Sequence, residues 1–209
     1  MTLILVLFPS AISLYFFGAD RLHPSLSLPG IYSSYFSLGC LLVCFATYAP
    51  LRNKLSPTSL IQSLGRMNAK LEFQVQALAC GLLLASAYLL FSILYSSQGQ
   101  EPPSAQILYP YLAVFLLIAP ALEETIFRGL VPDVLARHCP APLAFVISQC
   151  LFIGYHLQIF VYSWAAALSL LSLSLGAAWL KKESQSLGPC IVMRMSYNLV
   201  MVIAISLGL

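Results

Sequence analysis

Long apolar runs, separated by short polar breaks, extend along the whole chain. Seven such runs cover about residues 3–17, 31–48, 75–95, 107–137, 143–162, 165–180 and 190–207. Unbroken apolar runs are typical of transmembrane helices, whereas transmembrane strands alternate apolar and polar residues over about ten positions. The pattern therefore predicts an all-α fold, a polytopic transmembrane helical bundle of about seven spans. The longest polar segment, 51–72, is predicted to be either a solvated loop or a loop with a short surface helix at 59–64.

Composition supports a membrane protein. Of the 209 residues, 60% are hydrophobic and only 8% are charged, and the mean hydropathy is +0.88. A soluble domain has about 25% charged residues. The net charge of +3 comes from scattered basic residues, so the expected partner is the lipid bilayer and not nucleic acid. The first run has no basic segment before it, which predicts a retained span and not a cleaved signal peptide.

The basic residues predict the orientation in the membrane. The loops after the second, fourth and sixth spans carry seven of them: Arg52, Lys54, Arg66, Lys70, Arg137, Lys181 and Lys182. The opposite loops carry only Arg21. Since basic loops stay on the cytoplasmic side, we expect the N-terminus inside and the C-terminus outside, in a multi-pass protein of a bacterial cytoplasmic membrane. Residues 1–106 would form N-terminal spans with a basic inner loop, and 107–209 the functional core.

Three charges lie close together in the fourth apolar run: Glu123, Glu124 and Arg128. One charge at the bilayer centre costs at least about 2.5–3.5 kcal/mol, so these groups are expected to be paired, functional or both. Glu124 and Arg128 are four residues apart and can pair on one helix face. Glu123 is rotated by about 100° from Glu124. An ion pair that only holds helices together would explain Glu124 with Arg128, but not Glu123.

Two further polar clusters lie in later spans. Phe152 and His156 are four residues apart, as are Arg194 and Asn198. Structural roles can account for each of these residues separately. A single membrane histidine often packs between helices, an asparagine can make an interhelical hydrogen bond, and Arg194, close after Pro189, can extend to the membrane surface.

Together the three clusters contain the groups needed to hydrolyse a peptide bond without a nucleophilic side chain. A carboxylate and a neutral imidazole can polarise a water molecule. A cation and an amide can stabilise the oxyanion that forms when this water attacks a carbonyl. The six cysteines match no zinc pattern, so no metal or other cofactor is predicted.

The motifs Glu123–Arg128 (Glu-Glu-x-x-x-Arg), Phe152–His156 (Phe-x-x-x-His) and a third that ends in Asn198 occur in this order on successive parts of the chain. In this respect the chain resembles the CPBP family, the CAAX-prenyl-protease and bacteriocin-processing membrane proteins also called Abi proteins. The resemblance covers about residues 107–209. It implies a glutamic-type intramembrane endopeptidase that acts on a peptide or protein substrate at the membrane.

The resemblance also implies a role for each motif residue. Glu123 would be the general base that activates water, and His156 would assist it. Asn198 would belong to the oxyanion hole. Glu124 and Arg128 would form a structural pair, in agreement with their helical spacing.

The chain departs from the family pattern at position 194, where the family usually has histidine and this chain has arginine. Arginine is a permanent cation with five donors, so Arg194 can hold an oxyanion at least as well as histidine. It can also pair with Glu123, which would make that carboxylate less basic. We expect a working variant, because the other motif residues are present.

The substrate can be a prenylated C-terminal tail, a leader peptide or a C-terminal sorting tail, and no feature of the sequence predicts an oligomeric state. A non-catalytic scaffold or immunity protein, which binds a peptide or a membrane partner, is the main alternative. A coupled transporter would use similar buried groups, but repeated halves are not evident. A zinc enzyme is disfavoured because the sequence has no His-Glu-x-x-His motif.

Overall fold

A computed structural model describes residues 69–95, 112, 114–156 and 164–207. Within these residues the chain is all-helical, without strands, which confirms the predicted fold class for this part. The helices are α1 (Leu71–Tyr95), a first π-helical segment (Val114–Ile118), α2 (Ala119–Glu124), a second π-helical segment (Thr125–Leu130), α3 (Val131–Leu135), α4 (Ala141–Tyr155), α5 (Trp164–Ser184) and α6 (Gly188–Leu207).

Two of the described helices are long and apolar enough to cross a membrane. They are Leu71–Leu94, with a mean hydropathy of 2.2, and Trp164–Ser184, with 1.3. Ala141–Tyr155 and Gly188–Ala204 are apolar but shorter. Large apolar side chains such as Leu83 on α1 are exposed; an extended exposed apolar surface is unusual in a soluble monomer.

Several predicted elements lie outside the described residues. These are the spans at 3–17 and 31–48, the surface helix at 59–64 and the division between the two parts of the chain at 106 and 107. The total of seven spans and the orientation of the termini therefore stay predictions.

Proline and glycine mark the helix ends much as predicted. α6 begins at Gly188 with Pro189 in its first turn, where a missing backbone N–H does no harm. α4 begins directly after Pro140. The turn between α5 and α6 contains Gln185 with a φ of 54°, and its side-chain amide donates a 2.6 Å hydrogen bond to the carbonyl of Lys182.

The fourth predicted span differs from expectation. The sequence predicts one helix over 107–137 with a bend near Pro132, but π-helical segments occupy Val114–Ile118 and Thr125–Leu130. A π-helix closes its hydrogen bonds from residue i to i+5 and appears mostly as short insertions. The distortion therefore lies on both sides of the glutamates, and Pro132 only starts the short helix α3.

The chain divides into two compact units. One comprises Arg66–Glu124 and Ser163–Leu209, and we call it the Glu123 unit. In it, α6 packs along α1, α5 packs against both, and α6 also contacts α2. A Cβ atom added at Gly81 on α1 would overlap the carbonyl oxygen of Met193 and the hydroxyl of Ser196 on α6. Gly81 thus lets the two backbones approach closely, as small residues do between membrane helices.

The other unit comprises Met1–Gly65 and Thr125–Tyr162, and we call it the His156 unit. Its described part contains the second π-helical segment, α3 and α4, which pack on one another. The buried hydroxyl of Ser148 on α4 donates a 2.5 Å hydrogen bond to the carbonyl of Phe127. This bond links the π-helical segment to α4. It also gives the Phe127 carbonyl a hydrogen-bond partner, which buried backbone groups require.

Candidate active site

The charged motif lies where a regular helix changes into a π-helix. Glu123 and Glu124 end α2, and Arg128 lies in the π-helical segment that follows. All three side chains are buried. Side chains four residues apart are less well aligned in a π-helix than in an α-helix, so the 100° rotation per residue does not hold beyond Glu124. Short π-helical insertions are frequent at functional sites. The pairing of Glu124 with Arg128 stays a prediction.

A buried ion pair joins Glu123 to Arg194 within the Glu123 unit. The Nη2 atom of Arg194 on α6 donates to the Oε2 atom of Glu123 on α2. Glu123 is 4% exposed and Arg194 is 5% exposed, so Arg194 does not extend to the protein surface. A charge-assisted hydrogen bond of this kind is about twice as strong as a neutral one. Of the two roles considered for position 194, the contact with Glu123 is the one present in this structure.

The helix α6 carries the other polar groups near this pair. Asn198 is half-buried and follows Arg194 by four residues in a regular α-helix, so both lie on one face. The hydroxyl of Tyr197 lies 2.8 Å from that of Ser169 on α5. This hydrogen bond fixes α6 against α5 at the level of the motif.

A groove of about 310 Å³ runs between α1 and α5 in the same unit. Its walls are mainly apolar and include Tyr88, Phe91 and Trp164, whereas Ser169 is one of its few polar groups. The rings of Phe91 and Trp164 meet edge to face, 5.0 Å apart. The hydroxyl that hydrogen-bonds to Tyr197 therefore also lines this groove.

An aromatic cluster surrounds the histidine in the His156 unit. The ring of His156 lies 4.5 Å from that of Phe152 and 4.9 Å from that of Tyr155. The guanidinium carbon of Arg128 lies 4.0 Å above the centre of the Phe152 ring, a cation–π contact. Phe127 meets Phe152 edge to face at 5.4 Å. Phe152 thus contacts both the imidazole and the arginine of the motifs.

The backbone selects the tautomer of His156. The residue directly follows the last residue of α4 and is 7% exposed. Its Nδ1 atom lies 2.9 Å from the carbonyl oxygen of Phe152. A carbonyl oxygen can only accept a hydrogen bond, so Nδ1 carries the hydrogen of the neutral ring. The lone pair is then on Nε2, which is the atom that can accept a proton.

The three motifs lie within a segment that matches a known family. Residues 105–200 match the family model described as type II CAAX prenyl endopeptidase, Rce1-like. This segment, slightly less than half of the chain, is similar to that family. The match is consistent with the CPBP family and so confirms the resemblance predicted from the motifs. No curated protein and no solved structure gives a significant match to the chain. The family and the apolar helices together indicate a membrane protein and a protease of the CAAX type.

The predicted site residues of the Rce1-like segment fall into two groups in this structure. Glu123, Arg194 and Asn198 belong to the Glu123 unit, and the first two are in contact. Glu124 belongs to the same unit. Arg128, Phe152 and His156 belong to the His156 unit and are in mutual contact through the Phe152 ring.

Motif spacing did not identify three further groups of the Rce1-like segment. Tyr155 packs against His156 but precedes it directly, and a four-residue spacing cannot select such a neighbour. Ser148 and Ser169 lie in apolar runs, where a single hydroxyl gives no signal of its partner on another helix. Over the residues that the structure describes, no group of three or more His, Cys, Asp or Glu residues could hold a metal ion.

Proposed function

We propose that the chain is a glutamic-type intramembrane endopeptidase, in which Glu123 activates a water molecule, with the help of His156, to hydrolyse a peptide bond. The ion pair between Glu123 and Arg194 in the Rce1-like segment is the observation that carries the proposal. An ion pair requires Glu123 to be a carboxylate, which is the form that a general base must have. Burial of a carboxylate is unfavourable unless the carboxylate is paired. The packing of apolar helices against one another does not require a charged residue.

The backbone contact of His156 supports its proposed role. With the hydrogen on Nδ1 directed at the Phe152 carbonyl, the neutral ring offers Nε2 as an acceptor for a proton or a hydrogen bond from water. The contacts with Phe152 and Tyr155 hold the plane of the ring. Phe152 is therefore proposed as a supporting residue, which orients the imidazole without taking part in the chemistry.

The remaining motif residues have electrostatic and structural roles in this proposal. Asn198 and Arg194 supply an amide and a cation for the oxyanion of the tetrahedral intermediate. Glu124 and Arg128 form the structural pair that the resemblance implies, and Arg128 is further stabilised by the Phe152 ring. No step requires a metal ion, so we propose metal-independent hydrolysis.

The proposed substrate is a peptide or protein at the membrane. The matched family is named for prenyl endopeptidases, and a prenylated C-terminal tail is accordingly one of three candidate substrates. The others are a leader peptide and a C-terminal sorting tail. All three bring an extended peptide to the membrane, where helices as apolar as α1 and α5 would lie.

A non-catalytic scaffold or immunity protein is the second candidate. The observation that favours it is the same ion pair, because Arg194 already occupies an oxygen of Glu123. Such a protein would bind its peptide or membrane partner equally well after Glu123→Gln, whereas the protease would lose cleavage.

Cleavage in reconstituted vesicles separates the two candidates. The full chain would be tested with prenylated, leader-type and C-terminal-anchor peptides, and compared with Glu123→Gln and His156→Ala. Matched controls are Glu72→Gln and His138→Ala, which make the same changes at exposed positions. We expect cleavage of one peptide class by the parent and both controls, and loss in both site variants. The rate should be unchanged by a metal chelator; a loss that zinc restores would contradict the metal-independent mechanism.

A further inference from the structure

Arg194 has a carboxylate as its resident counter-ion. Its Nη2 atom donates to Oε2 of Glu123, and both residues are buried. Arginine keeps its charge at any pH a protein tolerates, unlike the histidine usual at this place in the family. A buried cation left without an anion is strongly unfavourable. Any step that neutralises Glu123 therefore favours the binding of a second anion beside Arg194.

The proposed hydrolysis contains such a step. The oxygen of water forms a bond to the carbonyl carbon, and the electron pair of the C=O π bond moves to the carbonyl oxygen. The proton released by the water goes to Glu123. The carboxylate has then become neutral while an oxyanion has formed, so one negative charge has moved from Glu123 to the substrate and the total charge is unchanged.

We propose that Arg194 exchanges counter-ions in each turnover: it pairs with the Glu123 carboxylate in the free enzyme and with the substrate oxyanion once Glu123 is protonated. This inference rests on the proposed function and deepens it. The guanidinium suits the exchange because its donors form a planar fork that can bind two oxygens in turn without rearranging the helix. The two roles that the sequence left open for Arg194 become successive stages of one cycle.

The second half of the cycle restores the ion pair. The oxyanion electrons re-form the C=O bond, the C–N bond breaks, and the proton of Glu123 goes to the leaving nitrogen. Glu123 is again a carboxylate beside Arg194. In this order of steps, the ion pair of Glu123 with Arg194 is the resting state of the site. It does not inhibit the reaction, because the reaction itself supplies the anion that replaces Glu123.

Anion binding without a peptide tests the exchange directly. The probe is dimethylphosphinate, a tetrahedral monoanion that resembles the intermediate, and the neutral control probe is dimethyl sulfone. Glu123→Gln imitates the protonated base. Binding to the full chain in detergent is measured from the rise of the unfolding temperature with probe concentration. Glu123→Ala serves in the same way if the glutamine variant does not fold.

We expect dimethylphosphinate to bind Glu123→Gln at least tenfold more tightly than the parent, because only the variant has lost the resident anion. The sulfone should bind both proteins equally. Adding Arg194→Gln to Glu123→Gln should abolish the gain, and adding Arg194→Lys should keep part of it. Equal or weaker binding of phosphinate to Glu123→Gln than to the parent overturns the proposal, as does tight binding that persists in the Glu123→Gln/Arg194→Gln protein.

Failure of this inference and failure of the proposed function give different results. The binding experiment uses no peptide and no turnover, so its outcome does not depend on the identity of the substrate. Cleavage that survives Glu123→Gln would remove Glu123 as the base. A lack of phosphinate binding together with Glu123-dependent cleavage would leave the protease in place and assign Arg194 to Glu123 alone.

Discussion

The Nδ1 atom of His156 lies 2.9 Å from the carbonyl oxygen of Phe152, one turn earlier in the same chain segment. This contact leaves Nε2 as the acceptor of the neutral ring. It also gives a second donor to the Phe152 carbonyl, which already accepts the backbone N–H of His156 over 3.3 Å. His156, directly after α4, is thus held by the carbonyl of Phe152 in the same motif.

Replacing His156 by asparagine should separate these two roles. The amide of asparagine can still donate to the Phe152 carbonyl, but it provides no equivalent of Nε2. We expect the unfolding temperature to stay close to that of the parent while cleavage falls by about 10²–10⁴-fold, the usual contribution of an acid–base group. His138→Asn, in an exposed turn, is the control. Cleavage at the parental rate by His156→Asn would remove His156 from the mechanism.

Breaking the ion pair between Glu123 and Arg194 should clearly destabilise the protein. Removing one partner of a buried pair typically costs about 3–5 kcal/mol, because the other charge is left alone. We therefore expect Glu123→Gln and Arg194→Gln each to lower the free energy of unfolding markedly, and the double variant to lose clearly less than the sum of both. Chemical denaturation of the parent, the two single variants and the double variant measures these free energies in a double-mutant cycle.

The exposed pair Lys70 and Glu72, 3.8 Å apart, provides the control cycle. Its coupling should stay within about 1 kcal/mol, as is usual for surface pairs. Coupling of Glu123 with Arg194 as weak as this would show that the pair is not maintained in the membrane.

The contact between α1 and α6 depends on the absence of a side chain at Gly81. Gly81→Ala places a Cβ against the Met193 carbonyl and the Ser196 hydroxyl, and the backbone oxygen cannot move away alone. We expect a loss of about 1–3 kcal/mol, the usual cost of overpacking, measured by denaturant unfolding. Gly154→Ala is the matched control, since its added Cβ would meet no atom within 4 Å. This change should be neutral or stabilising by up to about 1 kcal/mol.

The hydroxyl of Ser148 should be needed to hold the π-helical segment. Ser148→Ala leaves the buried Phe127 carbonyl without this 2.5 Å hydrogen bond, which costs about 1–3 kcal/mol. Ser172→Ala is the control, because that hydroxyl is exposed and only bonds to a carbonyl of its own helix. Equal stabilities of the two variants in denaturant would show that the link between Ser148 and Phe127 carries no energy.

Local signals predicted the helices of the described part. Hydrophobic run lengths and the breakers at Pro140 and Gly188–Pro189 located the starts of α4, α5 and α6 to within two residues, because the missing N–H of proline and the flexibility of glycine act at the site itself. The end of α4 was placed too late, since the run predicted for 143–162 leaves the helix at Tyr155. The π-helical segments were not predicted, because an apolar run looks the same whether its turns close after four residues or after five.

The partners of the site residues could be predicted only along one helix. Four-residue spacing correctly related Phe152 to His156, which share a helix face. It could not relate Glu123 to Arg194, which lie 71 residues apart. That contact depends on how α2 and α6 pack, and packing of this kind leaves no periodic signal in the sequence. From the sequence, pairing with Glu123 is therefore only one of two possible roles for Arg194.

The most direct test of the central claim is the rate of peptide cleavage by Glu123→Gln against Glu72→Gln in the same vesicles. Both changes replace a carboxylate by an amide of equal size, one in the buried pair and one at an exposed position. If Glu123 is the general base, Glu72→Gln cleaves at the parental rate and Glu123→Gln is slower by about 10²–10⁴-fold. Equal rates in the two variants would contradict the glutamic mechanism.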